Sequence, residues 1–510
     1  MPARVVVLGL ELGDGELLRG WARGGRLPEL ARLLARGRWR RLTTPAEQLH
    51  VAAWPSLYTG VGPGGHGVYF TFQPAPGVQG WQRFAQGLYG RPTFWSLLAR
   101  AGRRVLVFDA PYSHPEPGFA GDAIFDWGCW ARYLETTAVP ATLVSWLQRH
   151  CGRYPLPWEA HALGLAPLAP EEVEAALVRA VAAKAAAVTR ALSRDRYDLA
   201  FAVFGETHVA AHYLFDPPSG HARLRRVCEA LDRAIGEVLR AAGEETHLVL
   251  VSADAVKPNR SGWHLLPEVL FRLGHFASAE FAVPASSEGS AVTRPRFDPL
   301  RRLRDRLPKD LRKKLAGLLP RGLRDRLARR VDLAAVDWSR TRAFPLPTDL
   351  EGVIRVNLRG REPLGVVEPG AEYEALLDRL ETELAALRLA DGSPAVRRVL
   401  RADREFPGPR RSHLPDLVVL WNDHGAIERL RSPAIGEVAG ISPDPRPGTH
   451  GGPGFALVVS PAGGMPEEAT GDVRDLAPGL LAAFGLAPPA HMEGTPWPEL
   501  ADRMVGSVHR

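Results

Sequence analysis

Residues 4–15 read RVVVLGLELGDG. The run from Arg4 to Leu10 is apolar after its first residue and does not alternate with polar side chains. That pattern is typical of a parallel strand buried on both faces. Acidic and glycine residues follow and mark the end of the strand. The sequence therefore predicts a central strand with Glu11 at its carboxyl end.

The same order of strand and helix recurs along the chain. Leucines at helical spacing predict a helix over about residues 15–36. Apolar runs predict further strands at 104–108, 198–204, 247–252, 416–421 and 455–460. Alternation over several hundred residues predicts an α/β protein: a three-layer α/β/α sandwich with a mostly parallel central sheet.

Two segments interrupt this alternation and define the predicted domains. We expect a core built from residues 1–110, 195–285 and 340–510, with residues 111–194 as a first insertion, or cap, and 286–339 as a basic amphipathic helical insertion. Within the second insertion, residues 294–330 hold 15 Arg and Lys against 4 Asp, and leucines recur every three or four positions. We expect this stripe to pack on the protein; contact with nucleic acid or a membrane surface is the less favoured alternative.

Composition excludes several classes of protein. The chain has 510 residues, of which 45% are hydrophobic and 24% charged, as in ordinary globular proteins. Its three cysteines form no CxxC pair, which excludes a disulfide scaffold and a thiolate zinc finger. There is no run of about 18 apolar residues and no secretory signal, so we expect a cytoplasmic protein without an integral membrane segment.

Possible metal ligands stand at the ends of several predicted strands. His208 and His212 in GETHVAAH are four residues apart, a spacing that places both rings on one helical face. The complete set is Glu11, His50, His208, His212, Asp254 and His450. Because the carboxyl ends of parallel strands meet at one edge of a sheet, we expect these side chains to converge there.

Longer motifs resemble a known family. They are VVVLGLELGDG, GRLPELARLLARG, AAWPSLYTGVGPGGHGVY, FGETHVAAH, LVSADAVKPN, RTRAFPLPTDLEGVIRVNLRGREPLGVVEPG, LPDLVVLWND, GTHGGPGFALVVS and DLAPGLLAAFGL. In this order they resemble the type I phosphodiesterase/nucleotide pyrophosphatase group of the alkaline phosphatase superfamily. The resemblance implies two metal ions, normally zinc, that hold a phosphoryl group, and a threonine nucleophile that is transiently phosphorylated.

The resemblance also implies that this site departs from the family's pattern. His212 and His450 match metal-binding histidines, whereas Glu11 and His208 replace metal-binding aspartates. His50 takes the position of the threonine nucleophile when the segment is aligned without a gap.

The element that follows the strand at 247–252 aligns in two ways. Either Ala253 replaces the family's metal-binding aspartate and Asp254 its histidine, or Asp254 is the metal-binding aspartate and Ala255 replaces the histidine. His66 matches a histidine that is usually structural in the family.

These replacements keep side chains that bind metals. His208, His212 and His450 would suit zinc with an open fourth position. Glu11 and Asp254, with His50, would form a mixed oxygen and nitrogen set for zinc, manganese or iron. We therefore expect one or two divalent ions, with zinc favoured.

The missing threonine changes the expected mechanism. A metal-bound hydroxide could attack the phosphoryl group directly, or His50 could attack as a catalytic nucleophile and form a phosphohistidine. We favour the hydroxide. The expected function is a metal-dependent hydrolase of small anionic phosphoesters, either phosphodiesters or nucleotide pyrophosphate-like bonds. The alternatives are a non-catalytic binding or assembly module with the same fold, and an enzyme specific for sulfate or phosphonate compounds.

Overall fold

The structure is a computed structural model that describes most of the chain. The described residues are 4–83, 89–128, 136–156, 168–279, 281, 321–423, 425, 427–463 and 467–500. Residues 286–320 of the predicted basic insertion lie outside them.

The described residues contain nineteen strands. These are β1 (Arg4–Leu10), β2 (Arg38–Thr43), β3 (Phe72–Gln73), β4 (Gln82–Arg83), β5 (Val105–Phe108), β6 (Asp122–Phe125), β7 (Thr137–Val139), β8 (Leu199–Phe204), β9 (Thr246–Ser252), β10 (Ala255–Pro258), β11 (Ala343–Pro345), β12 (Gly352–Val356), β13 (Val396–Arg401), β14 (Leu417–Trp421), β15 (Arg429–Ser432), β16 (Gly436–Ala439), β17 (Gly448–Gly451), β18 (Gly454–Val459) and β19 (Glu467–Asp472).

Fourteen α-helices accompany these strands in the described part of the chain. They are α1 (Gly15–Arg23), α2 (Pro28–Leu34), α3 (Ala53–Thr59), α4 (Pro63–His66), α5 (Phe94–Arg100), α6 (Thr142–Cys151), α7 (Pro170–Arg194), α8 (Glu206–Leu214), α9 (Ala222–Ala242), α10 (Leu266–Arg272), α11 (Arg321–Ala334), α12 (Ala371–Ala385), α13 (Ala402–Glu405) and α14 (Leu476–Ala483).

Nine strands form the main sheet, in the order β19-β2-β18-β9-β1-β8-β5-β6-β7. The pairs from β9 through β6 and the pair β19–β2 are parallel, whereas β18 and β7 pair antiparallel with their neighbours. Strand β1 lies between β8 and β9, with Val5 opposite both Leu199 and His247. The predicted mostly parallel α/β sheet is therefore confirmed, and β1 is central because its apolar side chains are buried on both faces.

One glycine brings the segment around His50 close to the sheet. A Cβ on Gly9 of β1 would lie 2.8 Å from the ring of Trp54 and 2.9 Å from Val203. Trp54 belongs to α3, which begins three residues after His50. The absence of a side chain at Gly9 thus lets α3 pack directly on the centre of the sheet.

A second sheet has its own hydrophobic core, which the sequence did not predict. Its strands run antiparallel in the order β11-β12-β14-β13, and leucines of α12 pack on it. It falls within residues 340–510, which were predicted as part of the main α/β core. The predicted domain boundaries stay a prediction.

The predicted helix over residues 15–36 is divided into α1 and α2. Helix α1 ends before Gly24, and Gly25 has a positive φ of 71°. The next helix begins at Pro28, whose ring suits a first helical position but not a helix interior. The leucine spacing is thus produced by two helices that both pack on the sheet.

Helix α11 lies within the second predicted insertion, and its sequence is rich in arginine. No helix among the described residues has the length and apolar character needed to cross a membrane.

Candidate metal centre

Three neighbouring strands bring the candidate ligands to one edge of the main sheet. Glu11 directly follows β1, the helix α8 with His208 and His212 follows β8, and Asp254 follows β9. The remaining candidate ligand, His450, lies on β17, which forms a short antiparallel ladder with β10; there it is paired with Val256. This is the convergence that the carboxyl ends of parallel strands predict.

His208, His212 and His450 form a compact cluster. One possible ligand atom from each ring lies within 4.8 Å of the other two, and each residue is at most 5% exposed. The ring centroids are 4.4 Å apart for His208 and His212, 4.9 Å for His208 and His450, and 5.2 Å for His212 and His450. Three imidazoles in this arrangement can hold a divalent ion and leave a coordination position open.

Two of the three rings are oriented by hydrogen bonds through Nδ1. Nδ1–H of His212 donates to the carbonyl of Gly448 at 2.7 Å, and Nδ1–H of His450 donates to Oδ2 of Asp254 at 2.5 Å. Such partners fix the tautomer in metal sites and leave Nε2 as the ligand atom. Gly448 has no room for a side chain, because its Cβ would collide with the carbonyl oxygen of Ala211 in α8.

His212 is suited to remain a neutral ligand. Burial lowers the pKa of its imidazole well below the usual value, and the positive charge of Arg446 lowers it further. A neutral imidazole offers the lone pair that a metal ion needs.

The carboxylates of Glu11 and Asp254 stand directly beside the cluster. Oε1 of Glu11 lies 3.6 Å from Nδ1 of His208. Oε2 of Glu11 and Oδ1 of Asp254 are buried without a hydrogen-bond partner. Burial raises the pKa of Glu11 well above its usual value, and the nearby charge of Asp254 raises it further. A cation would compensate these buried oxygens, so the donor set fits a metal ion.

The structure places His50 next to this cluster rather than in it. Its ring stacks on His450 at 4.6 Å between centroids. Nδ1 lies 3.1 Å from Oε2 of Glu351, and Nε2 lies 3.2 Å from Oδ1 of Asp349. Both ring nitrogens thus face carboxylates, a contact pattern typical of an imidazolium. The roles of His50 as metal ligand and as nucleophile stay predictions, and these contacts favour neither.

The charge of His50 follows from these contacts. Burial lowers the pKa of His50, but the two carboxylates outweigh burial and raise it to about 10. Burial also raises the pKa of Asp349, yet the adjacent His50 and then Arg446 hold that carboxyl well below its usual range. Arg446 lies 3.4 Å from Asp349 and also binds Asp444.

Asp349 and Glu351 were missed as site residues by the sequence analysis. They precede β12 of the second sheet and reach His50 across about 300 positions of sequence. Their motif, PTDLEG, was among the segments that resemble the family, but its residues received no role. The acidic pair within that motif is the signal that could have indicated a site.

A buried polar network lies behind α8. The ammonium of Lys184 in α7 contacts Asp109, and both side chains are fully buried. The hydroxyl of Tyr154 donates to Oε1 of Glu206 at 2.5 Å, while Oε2 of Glu206 has no partner. Burial raises the pKa of Glu206 to about 7, although Lys184 and Tyr154 lower it. Glu206 begins α8, the helix that carries His208 and His212, so this network anchors the start of that helix.

His66 is fully buried away from the histidine cluster. Its Nδ1 accepts a hydrogen bond from the backbone N–H of Val68 at 3.0 Å, and Nε2–H donates to Oγ of Ser56 at 3.0 Å. Burial lowers the pKa of His66 to about 3. Both contacts are those of a neutral structural histidine.

We expect His66 to make the fold sensitive to acid. The unfolded chain binds a proton at this histidine below pH about 6.5, and the folded chain binds it only near pH 3, so stability falls as the pH falls between these values. At pH 5 the loss is about 2 kcal/mol. Urea unfolding at pH 7 and pH 5 measures it, with His66→Gln as the non-titrating reference. An equal loss in both proteins would contradict this assignment.

Comparisons with known proteins agree with this architecture. The sequence matches the family profile described as type I phosphodiesterase / nucleotide pyrophosphatase over residues 5–268. A search of curated proteins found no match.

Two solved structures with TM-scores above 0.5 show the same fold at low sequence identity. Murine ectonucleotide pyrophosphatase/phosphodiesterase 5, an inactive variant in complex with AMP, is 12% identical, with a TM-score of 0.52 and coverage of 98% of this chain and 99% of that chain. The human protein of that name is 11% identical, with a TM-score of 0.51 and the same coverage. Phosphonoacetate hydrolase from Sinorhizobium meliloti 1021 is 14% identical, with a TM-score of 0.49 and coverage of 90% of both chains.

The profile match spans just over half of the chain and includes β1, α8 and β9 with their candidate ligands. It supports phosphoester hydrolysis as the class of reaction. The chain belongs to the type I phosphodiesterase/nucleotide pyrophosphatase family.

Proposed function

We propose that this protein is a divalent-metal-dependent phosphoester hydrolase whose ion is held by His208, His212 and His450. The observation that carries the proposal is the buried cluster of three imidazoles, with ligand atoms within 4.8 Å of one another. The hydrogen bonds at Nδ1 of His212 and His450 support it, because they engage Nδ1 and leave Nε2 as the ligand atom.

Zinc is the ion that this donor set favours. Imidazole nitrogens are common zinc ligands, and three of them with one open position are typical of catalytic zinc sites. When bound, such an ion supplies a Lewis acid for a phosphoryl oxygen and lowers the pKa of water. Glu11 and Asp254 supply further carboxylate oxygens, and we propose them as the ligands of a second ion where one is bound.

The surrounding side chains determine what this centre can accept. His50 holds a positive charge beside His450. We propose that this charge balances the neighbouring carboxylates and that the ring, stacked on His450, helps to orient it. In this proposal His50 does not attack the substrate. Asp349 and Glu351 hold its ring in place through both nitrogens. Arg446 contacts Asp349 and also Asp444, and so ties the carboxylate beside His50 to the segment before β17. An anionic phosphoester, either a phosphodiester or a nucleotide pyrophosphate-like bond, is the substrate class that this proposal names.

Metal stoichiometry tests the proposal. Protein prepared without a histidine tag and stripped with chelator is titrated with zinc and with manganese, and hydrolysis of bis(4-nitrophenyl) phosphate is followed in parallel. We expect activity to rise with the first equivalent of zinc. Uptake of a second equivalent would support the additional site at Glu11 and Asp254.

Absence of uptake and of turnover would overturn the proposal and favour the non-catalytic module. Turnover of sulfate esters or phosphonates, without turnover of phosphoesters, would instead support the changed specificity.

A further inference from the structure

A cavity at one end of the second sheet lies apart from the metal centre. Its volume is about 450 Å³, which is in the range of pockets that hold small molecules. Its wall combines proline, glycine and aliphatic residues with six polar side chains: Arg361, Tyr373, Asp403, Arg411, Ser412 and Asp416. None of the six has a role in the proposed reaction.

Strand β12 separates the cavity from the metal centre. Glu351, which contacts His50, directly precedes this strand, whereas Leu358 in the cavity wall follows it. Asp416 accepts a hydrogen bond at 2.7 Å from the backbone N–H of Val356, the last residue of β12. The five residues of β12 span about 16 Å. The cavity is therefore a separate site at the opposite end of the second sheet.

Two of the charged side chains in the cavity wall neutralise each other. The guanidinium of Arg361 donates to both carboxylate oxygens of Asp416, at 2.7 Å and 2.6 Å, and its Nε donates to Glu362. The hydroxyl of Tyr373 donates to Oδ1 of Asp416 at 2.8 Å. The charges of Arg361 and Asp416 are thus compensated within the protein.

The other two charged side chains of the wall, Asp403 and Arg411, form no ion pair with any residue that the structure describes. Oδ1 of Asp403 is buried without a hydrogen-bond partner, and Arg411 is exposed. Burial raises the pKa of Tyr373, the carboxylate of Asp416 raises it further, and Asp403 adds to this effect. The carboxylate of Asp403 therefore lies near the tyrosine in the cavity wall. A carboxylate in this position is stabilised by a cationic partner.

The charges that stay unpaired in the cavity wall are one carboxylate and one guanidinium. An ammonium group would give Asp403 the charged donor that it lacks, and a carboxylate would accept hydrogen bonds from Arg411. Ser412 adds a hydroxyl next to Arg411 in the chain. Pro409 and Pro415 in the wall suit a short alkyl chain between the two charged groups.

We infer that this cavity binds a small zwitterion that carries an ammonium and a carboxylate group, as amino acids do. The ammonium group contacts Asp403 beside Tyr373, and the carboxylate contacts Arg411 and Ser412. The site lies outside the metal centre, so the inference goes beyond the proposed hydrolase and does not depend on it.

Calorimetric titration of the full chain with glycine, β-alanine, 4-aminobutyrate and 6-aminohexanoate tests the inference. These zwitterions differ only in the length of the alkyl chain between their charged groups. We expect at least one of them to bind about ten-fold more tightly than butylamine and butyrate, which carry a single charge. Binding of no zwitterion at millimolar concentration, or equally tight binding of a single-charge analogue, would overturn the inference.

Variants test the two contacts separately. Asp403→Asn keeps the shape of the side chain and should weaken binding by about ten-fold, because a hydrogen bond between charged groups is lost. Arg411→Met should weaken binding by about three-fold, since an exposed ion pair contributes less. Asp195→Asn removes an exposed carboxylate that pairs with Arg104 at the end of α7, and it should keep the wild-type affinity. Wild-type affinity in Asp403→Asn or in Arg411→Met would contradict the assignment.

The metal centre must be excluded as the site of binding, because a carboxylate can also bind zinc. The titration is therefore repeated on chelator-treated protein and on His212→Ala. The affinity should be unchanged in both, since the cavity lies at the other end of β12. An affinity that requires zinc would place the zwitterion at the metal centre and overturn the inference, whatever the result of the hydrolysis assay.

Discussion

Replacing His212 with alanine is expected to abolish stoichiometric zinc binding and to lower kcat/KM for phosphodiesters by more than about 100-fold. Loss of a residue that only orients a ligand costs about 10–100-fold in affinity or activity, and loss of the ligand itself should exceed that. His212 is 2% exposed, is kept neutral by burial, and is oriented by Gly448. The same result is expected for His208→Ala.

The measurement must separate loss of the ion from loss of the fold. Zinc that binds only the folded chain raises its stability, so the wild-type unfolding midpoint should rise on addition of zinc. In His212→Ala the metal-free midpoint should stay near that of the metal-free wild type, and the rise with zinc should disappear. His150→Ala changes an exposed histidine on α6 and is the matched control. A zinc-dependent rise that survives in His212→Ala would exclude the histidine cluster as the metal site.

The position of this cluster could be predicted from sequence because it depends on local patterns. The apolar run of β1 and the four-residue spacing of His208 and His212 are both visible in short windows. The convergence of these side chains then follows from the rule that ligands gather at the carboxyl ends of parallel strands. His450 lies on β17, which pairs with β10 outside the main sheet, so its position does not follow from the strand ends of the main sheet.

The setting of His50 could not be predicted in the same way. Its partners Asp349 and Glu351 come from the segment before β12. The hydrophobic core of the second sheet includes Leu49 and Ala52, on either side of His50, and this packing brings the partners near. In sequence, a histidine near a metal site suggests a ligand. In the structure both of its ring nitrogens contact carboxylates, a setting that the sequence around His50 does not indicate.

The division into two hydrophobic cores could not be predicted from the apolar runs of the sequence either. The apolar run of β14 is like those of the main sheet, and the whole segment 340–510, which includes β12, is predicted as part of the main core. The two strands pair antiparallel in the second sheet, and their buried side chains share a core with the leucines of α12, separate from the core around β1. Apolar runs predict burial, but they do not identify the sheet that buries them.

Lys184 is the buried charge whose removal should cost most. Its ammonium contacts Asp109, whose carboxylate also accepts the backbone N–H groups of Trp127 at 2.9 Å and Gly128 at 2.7 Å. The rings of Phe108, Trp127 and Tyr154 surround the ammonium at 5.6–5.9 Å. In Lys184→Met, the charge of Asp109 stays buried without its counter-ion, and we expect the free energy of unfolding to fall by about 3–5 kcal/mol.

Lys257→Met is the matched control for stability, since it makes the same change at the other lysine of the described residues. The side chain of Lys257 is 23% exposed and its partner Asp423 is 51% exposed. Such a pair contributes about 0–1 kcal/mol, so urea unfolding should separate the two variants clearly. The double variant Lys184→Met/Asp109→Asn should be more stable than Lys184→Met alone, because it removes the unpaired charge. Equal costs for the two lysines, or no recovery in the double variant, would mean that burial of the Lys184 charge is not what anchors the segment around Asp109 to α7.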